Sequence, residues 1–258
     1  MPYRNAHWAV LMVLPLILVA FWPGYFGRLG EASLALHGHG ISASAWLLLL
    51  AFQLWSIHAR KVALHRAAGL ALFVAHSDPF HAAFAVRLGM VDLVALGTLV
   101  GLVRYALVTR RSARTHASAM LATGLLVLPP ILARLVPLVP HFGEMAIAGR
   151  QGFALAFHVG QGLAAIAALS LYLVDRKARA FLVVAVSIGA QGLVFETAEG
   201  SKVWVTLATK VMAIPPVLLA LIGAVTAAAV LYQGWTRIPP RRRSSASYRS
   251  ASDLVPDA

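Results

Sequence analysis

His39, Asp92, His158 and Lys210 stand in stretches that are otherwise almost wholly apolar, each about six or seven residues in from one end of its run. If those runs are helices, that depth is near 10 Å at ~1.5 Å per residue, so four helices carry an ionisable group at one level. A central Lys or Asp in a membrane helix costs roughly 2.5–3.5 kcal/mol on insertion scales, so each such group needs a partner, water or a task. Three kinds of chemistry use these residue types. Two imidazoles on facing helices can ligate haem iron axially, which makes His39 with His158 a candidate outer haem b pair. A set of His, Asp and Lys can hold a proton or a polar substrate. Asp92 and Lys210, opposite in charge at matching depth, can form a buried ion pair. Gln161 lies one turn from His158 on the same helical face.

A second histidine set marks the other end of the runs: His58, His65 in "LHRAAG" and His116 in "RTHASAMLATG". His65 with His116 is the corresponding inner haem pair, and Met120, one turn beyond His116, is an alternative axial ligand. His37, His76, His81 and His141 fall in or beside connections at the outer end. The plainer alternatives are an interfacial His39 bonded to headgroups, a His158 satisfied inside a bundle, and a Lys210 reaching toward Glu196 or Glu199. A lysine in a late span also suits a retinal Schiff base, but the number of spans and the surroundings of Lys210 argue against it.

The elements that must position these groups follow from composition. The 258 residues are 60% hydrophobic and 12% charged, with a mean hydropathy of +0.77. Soluble domains run closer to half apolar and a quarter charged, so this is the composition of an integral membrane protein. There is no cysteine, which excludes disulfides and thiolate metal sites. The net charge of +13 sits in short clusters between apolar runs rather than on one face, which argues against nucleic acid and for topology signals and phospholipid contacts.

The N-terminal run enters Trp22, Pro23 and Tyr25 without a small-residue cleavage site and reads as a retained first helix. Further helices are expected near 33–57, 66–81, 85–107, 116–137, 151–174, 180–196 and 203–234, making about eight spans of an all-α transmembrane bundle. The cationic clusters "HARKVALHR" (58–66), "RYALVTRRSAR" (104–114), "DRKARA" (175–180) and "TRIPPRRR" (236–243) follow every second span. The positive-inside rule then places both termini in the cytoplasm of a chain that crosses the membrane many times. Pro129–Pro130 and Pro215–Pro216 should kink the fifth and eighth spans. Residues 1–240 form the membrane domain, and the Ser-rich basic segment 241–258 reads as a disordered cytoplasmic tail.

The stretch "HGHGISASAWLLLLAFQLW", then "LHRAAG", then "RRSARTHASAMLATGLLVLPPILARL", resembles a widespread group of bacterial multi-span membrane proteins. The matching positions are His39, Gly40, Trp46, Gln53, Leu64, His65, Arg66, His116, Met120, Ala122, Thr123, Pro130 and Arg134, within about residues 35–136. The resemblance implies a family and no particular activity. Histidines at both ends of a bundle are also similar in arrangement to cytochrome b561-type haem proteins, an analogy without a motif.

Three functions follow as expectations. One is a haem-b electron-transfer protein using His39, His158, His65 and His116, with a redox partner or quinone. Another is a transporter or proton-coupled carrier built on His39, Asp92, His158 and Lys210. The third is a nonenzymatic assembly factor whose partners include the bilayer itself.

Overall fold

The computed structural model describes residues 3, 5–58, 79–140 and 149–237, and among these there are helices and turns but no strands. In chain order the helices are α1 (Ala6–Leu11), α2 (Val13–Phe21), α3 (Leu34–His58), α4 (Pro79–Val108), α5 (Ala113–Leu125), α6 (Leu128–Leu135), α7 (Gly149–Val174), α8 (Arg179–Thr197), α9 (Lys202–Met212) and α10 (Pro216–Thr236). Among the described residues, four stretches are long and apolar enough to cross a membrane: Val86–Val108, Ala113–Leu138, Gln151–Val174 and Arg179–Gly200.

The packing centres on α8, which lies against α4, α5 and α7, while α6 packs on α7, α1 on α3 and α10 on α4. Alanines dominate where the central helices meet: Ala106, Ala119, Ala122, Ala164 and Ala168 are fully buried beside Leu102, Phe181, Val184 and Ile188. Small side chains let helix backbones approach where lipid supplies no hydrophobic drive between helices. The large apolar side chains turn outward instead, as at Leu163, Ile166, Leu173, Val183, Val186 and Leu193. That inversion of a soluble fold is what hydrocarbon solvent requires, because outward Leu and Val lose nothing in lipid while backbone groups must be bonded within the helices. Local capping follows the sequence, with Ser112 Oγ accepting from the Thr115 amide at 3.4 Å and Ser201 Oγ from the Trp204 amide at 3.2 Å.

Several boundaries differ from the sequence expectation. A fourth helix was expected from residue 85, but α4 already starts at Pro79, a residue pre-set for a first helical turn because its missing N–H would have no helical partner there. Residues 66–78 of the expected third span, with His65 and His76, lie outside the described residues, as do His141 and the tail 241–258. The expected fifth helix is interrupted rather than kinked: a turn at Leu126–Val127 separates α5 from α6. Pro129 and Pro130 have no N–H to offer the carbonyls four residues back, so the α-helical ladder cannot run through. Gly160 of α7 meets the backbone on the far side of this break so closely that a Cβ there would lie 2.7 Å from the Pro129 carbonyl oxygen and 2.6 Å from the Ala133 amide nitrogen. The expected eighth helix likewise divides at Ala213–Pro215 into α9 and α10.

Candidate functional site

α4, α7 and α8 converge on a cluster of charged and aromatic groups at one end of the bundle. The guanidinium of Arg87 donates to Glu199 at 2.9 Å and lies 3.9 Å from Glu196. Glu196 also meets His158, with Nε2 and Oε1 2.6 Å apart. Beneath these charges Phe157 and Phe195 stack with ring centroids 4.1 Å apart, the His158 ring meets Phe195 edge-on, and Arg87 lies 5.1 Å over the same ring. Trp204 Nε1 donates to the Val86 carbonyl at 2.6 Å, holding the start of α9 against α4. Arg87 is the most enclosed member, whereas His158, Glu196 and Glu199 are open to the exterior of the protein.

Polar groups continue inward from this mouth. Gln161 follows His158 by one turn of α7 and is 95% buried, since only 5% of its surface is exposed. Its Nε2 donates to Gln191 Oε1 at 3.3 Å, Gln191 Nε2 donates to Ser187 Oγ at 3.3 Å, and Ser187 Oγ is 2.7 Å from Thr98 Oγ1. Thr98 in turn donates to the Val94 carbonyl at 2.8 Å. Arg87 and Thr98 are eleven residues apart on α4, about 16 Å at ~1.5 Å per residue, roughly half the ~30 Å hydrocarbon thickness. Past Thr98, Leu102, Ala106, Phe181, Val184 and Ile188 close together as an apolar cluster, and the nearby buried hydroxyls of Ser118 and Thr123 on α5 are bonded to carbonyls of their own helix. The column is therefore open at one end and plugged at the other.

Beyond the plug, the opposite end of the bundle has its own network. Tyr3 donates to Asp175 Oδ2 at 2.9 Å, Arg114 Nε lies 3.4 Å from the same oxygen, and the Tyr3 ring meets Phe181 edge-on at 6.0 Å. Burial, with the Asp175 carboxylate adding to it, pushes the Tyr3 phenol well above its usual range. No family model, curated protein or solved structure matches the chain.

The residues singled out from the sequence fare differently. His158 and Gln161 both belong to the column. Only the backbone of His39 is described, within α3, so each expected haem pair has one member whose side chain lies outside the described residues. His116 Nδ1 lies 2.8 Å from the Ala106 carbonyl oxygen across the α4–α5 turn. Asp92 and Lys210 are both exposed, and no ion pair joins them. Lys210 sits in an open groove of α9 with Lys202, Val203, Thr206 and Leu207, while α9 meets α4 through Trp204, two turns away from Lys210. Among the described residues no three His, Asp or Glu side chains gather as a metal site. Sequence reasoning passed over Arg87, Gln191, Ser187 and Thr98. The available signal was Gln191 within the apolar run of α8 and an arginine two residues inside the fourth expected helix.

Proposed function

We propose that the chain is a carrier of the bacterial inner membrane, crossing it about eight times with both termini in the cytoplasm, that exchanges a proton at His158 and Glu196 while moving a small polar solute. The observation that carries this reading is the one-ended column: charged at its mouth, hydrogen-bonded to mid-depth and closed by the apolar plug around Phe181. A polar path of that kind is expensive inside a membrane bundle and needs a use. A plug beyond it is what separates a carrier from a pore. The interruptions at Leu126–Val127 and Ala213–Pro215 supply places where half-helices can tilt, since the ladder is already broken there. Arg87 anchors Glu199 and leaves Glu196 the looser acid, so Glu196 with His158 is the pair whose proton can change hands.

The test uses the absence of native cysteine. A single Ser187→Cys variant lies at the inner end of the column and should react with a small charged thiol reagent from the outside in right-side-out vesicles. In inverted vesicles it should react from the cytoplasmic face too, at a rate that changes with pH. Labelling from the outside alone, at every pH, would exclude alternating access and leave the assembly-factor reading in its place.

A further inference from the structure

α4 has a face that is held at both ends and bare between them. Val86, Gly89, Leu93, Gly97, Arg104 and Leu107 fall on one side of the helix, because they are three, four or seven residues apart. At the mouth end, Trp204 bonds the Val86 carbonyl and covers Gly89, where a Cβ would lie 3.5 Å from its ring. At the opposite end Gly234 of α10 takes the place of a side chain: a Cβ there would lie 3.4 Å from both Arg104 Cγ and Leu107 Cβ. Arg110 fastens that contact, with its guanidinium 4.6 Å over the Trp235 ring and its Nη1 3.5 Å from the Gly234 carbonyl oxygen. Between these anchors Leu93 and Leu96 are 56% and 49% exposed, and among the described residues nothing lies within 4 Å of a Cβ at Gly97 or Gly101.

α10 is bare over the matching length. Residues 221–226 are all exposed, and six consecutive residues pass more than once round a helix, so this half of α10 is open on every side. Its Gly223 precedes Gly234 by eleven residues, and Leu93 and Leu96 precede Arg104 and Leu107 by the same eleven. Eleven residues are close to three helical turns, so the glycine and its opposing pair both recur on the faces that already meet. The two helices run in the same direction, since α9 leaves from Trp204 at the mouth and α10 reaches Arg104 near its end. With Gly234 opposite Arg104 and Leu107, the register puts Gly223 opposite Leu93 and Leu96, and Ala227 opposite Gly97. The same packing is encoded twice and made once.

We infer that α10 is a strap that closes on α4, seating Gly223 against Leu93 and Leu96 as Gly234 is seated against Arg104 and Leu107. The pivot is the end held by Arg110 and Trp235, and the slack is the interruption at Ala213–Pro215, where the helical ladder is already broken. Glycine and alanine favour closure in hydrocarbon because they let backbones approach, whereas leucine gains little by leaving lipid. Closed, the helix that carries Arg87 and Thr98 of the polar column is braced along its length instead of at its two ends. The inference goes beyond the carrier reading and does not depend on it: labelling at position 187 bears on transport, and closure is read between α4 and α10 alone.

The experiment again uses the absence of native cysteine. Leu107→Cys with Gly234→Cys, whose Cβ positions lie 3.4 Å apart, close to the disulfide range, reports the contact already made. Leu96→Cys with Gly223→Cys reports closure. Under mild oxidation in membranes both pairs should form a disulfide within one chain, read as loss of both thiols in a monomer-sized band. Gly97→Leu, at an exposed position with open space around it, leaves the open state undisturbed and should slow the 96–223 disulfide about tenfold or more without slowing the 107–234 one. Spin labels at positions 96 and 223 should give a short and a long distance, and Gly97→Leu should leave only the long one. A disulfide at 107–234 but none at 96–223, or a single long distance in the unblocked protein, would overturn the strap. So would a 96–223 rate that Gly97→Leu does not change. Bridges at 96–223 between chains alone would overturn it too, by making a second copy the occupant of the bare face.

Discussion

Gly160→Ala should destabilise the protein by about 1–3 kcal/mol, the ordinary cost of one extra methylene in a full interior. The magnitude follows from the contact between α7 and the interrupted α5–α6 segment. A Cβ at Gly160 would lie 2.6 Å from the Ala133 amide nitrogen, 2.7 Å from the Pro129 carbonyl oxygen and 2.9 Å from the Ala133 Cα. All three are backbone atoms, so no side chain can rotate away. Reaching an ordinary 3.4 Å contact requires about 0.8 Å of separation along the line to Ala133, and α6 cannot move alone because it also packs on α2. At ~1.4 kcal/mol per factor of ten, the folded-to-unfolded ratio should fall roughly five- to hundredfold. Gly162→Ala, two residues along, is the control: nothing lies within 4 Å of its Cβ and the position is exposed. There the change should stabilise by roughly 0.5–1 kcal/mol through helix propensity. Reversible unfolding in mixed micelles, followed by tryptophan fluorescence, measures both. Substitutions of the same sign would refute the close backbone contact at Gly160.

Tyr3→Phe should cost about 1 kcal/mol at neutral pH by removing the donation to Asp175. Because the folded phenol is raised, its contribution is whole below the free-tyrosine value of ~10 and is lost as pH rises through the higher folded value, so the variant and wild type should converge in strong base in a pH series of unfolding midpoints. Asp92→Asn and Lys210→Met should add within ~0.5 kcal/mol in a double-mutant cycle, as expected of exposed residues that no ion pair joins. For topology, Lys177→Cys should be protected from impermeant reagent in intact cells and Gly200→Cys should be reached by it; the opposite pattern would invert the orientation.

The sequence made α3, α7 and α8 legible to within two residues, because each is one unbroken apolar run bounded by cations or turn formers. Proline pairs announced the irregularities in the fifth and eighth spans. They did not announce interruption, which depends on whether a neighbour accepts the displaced backbone, as Gly160 does. The column was half visible. His158 and Gln161 share a face by arithmetic, but joining Gln161 to Gln191 needs the α7–α8 register, and joining Ser187 to Thr98 needs the approach of α4. Neither is written in local periodicity. Arg87 was passed over because a cation near the end of an apolar run reads as an interface anchor. Its role comes from two acids more than a hundred residues later in the chain. His116 carried the opposite error of emphasis, since a histidine at a helix start invites a ligand reading while its ring lies against a carbonyl ten residues back.

The two glutamines in the column have an implication for electrical insulation. Protons hop readily along water and hydroxyls, each oxygen releasing one as it takes another. A carboxamide can do so only through its imidic acid form, and Gln161 and Gln191 stand consecutively in the path. Ser187 and Thr98 could relay a proton between themselves, but with the amides ahead of them none arrives by that route. Along this column a proton that enters at the mouth is therefore not relayed past the two amides. In the carrier proposed above, charge would therefore cross this column only as cargo, at the pace of helix motion, and a cell could keep many copies in its energised membrane without short-circuiting it.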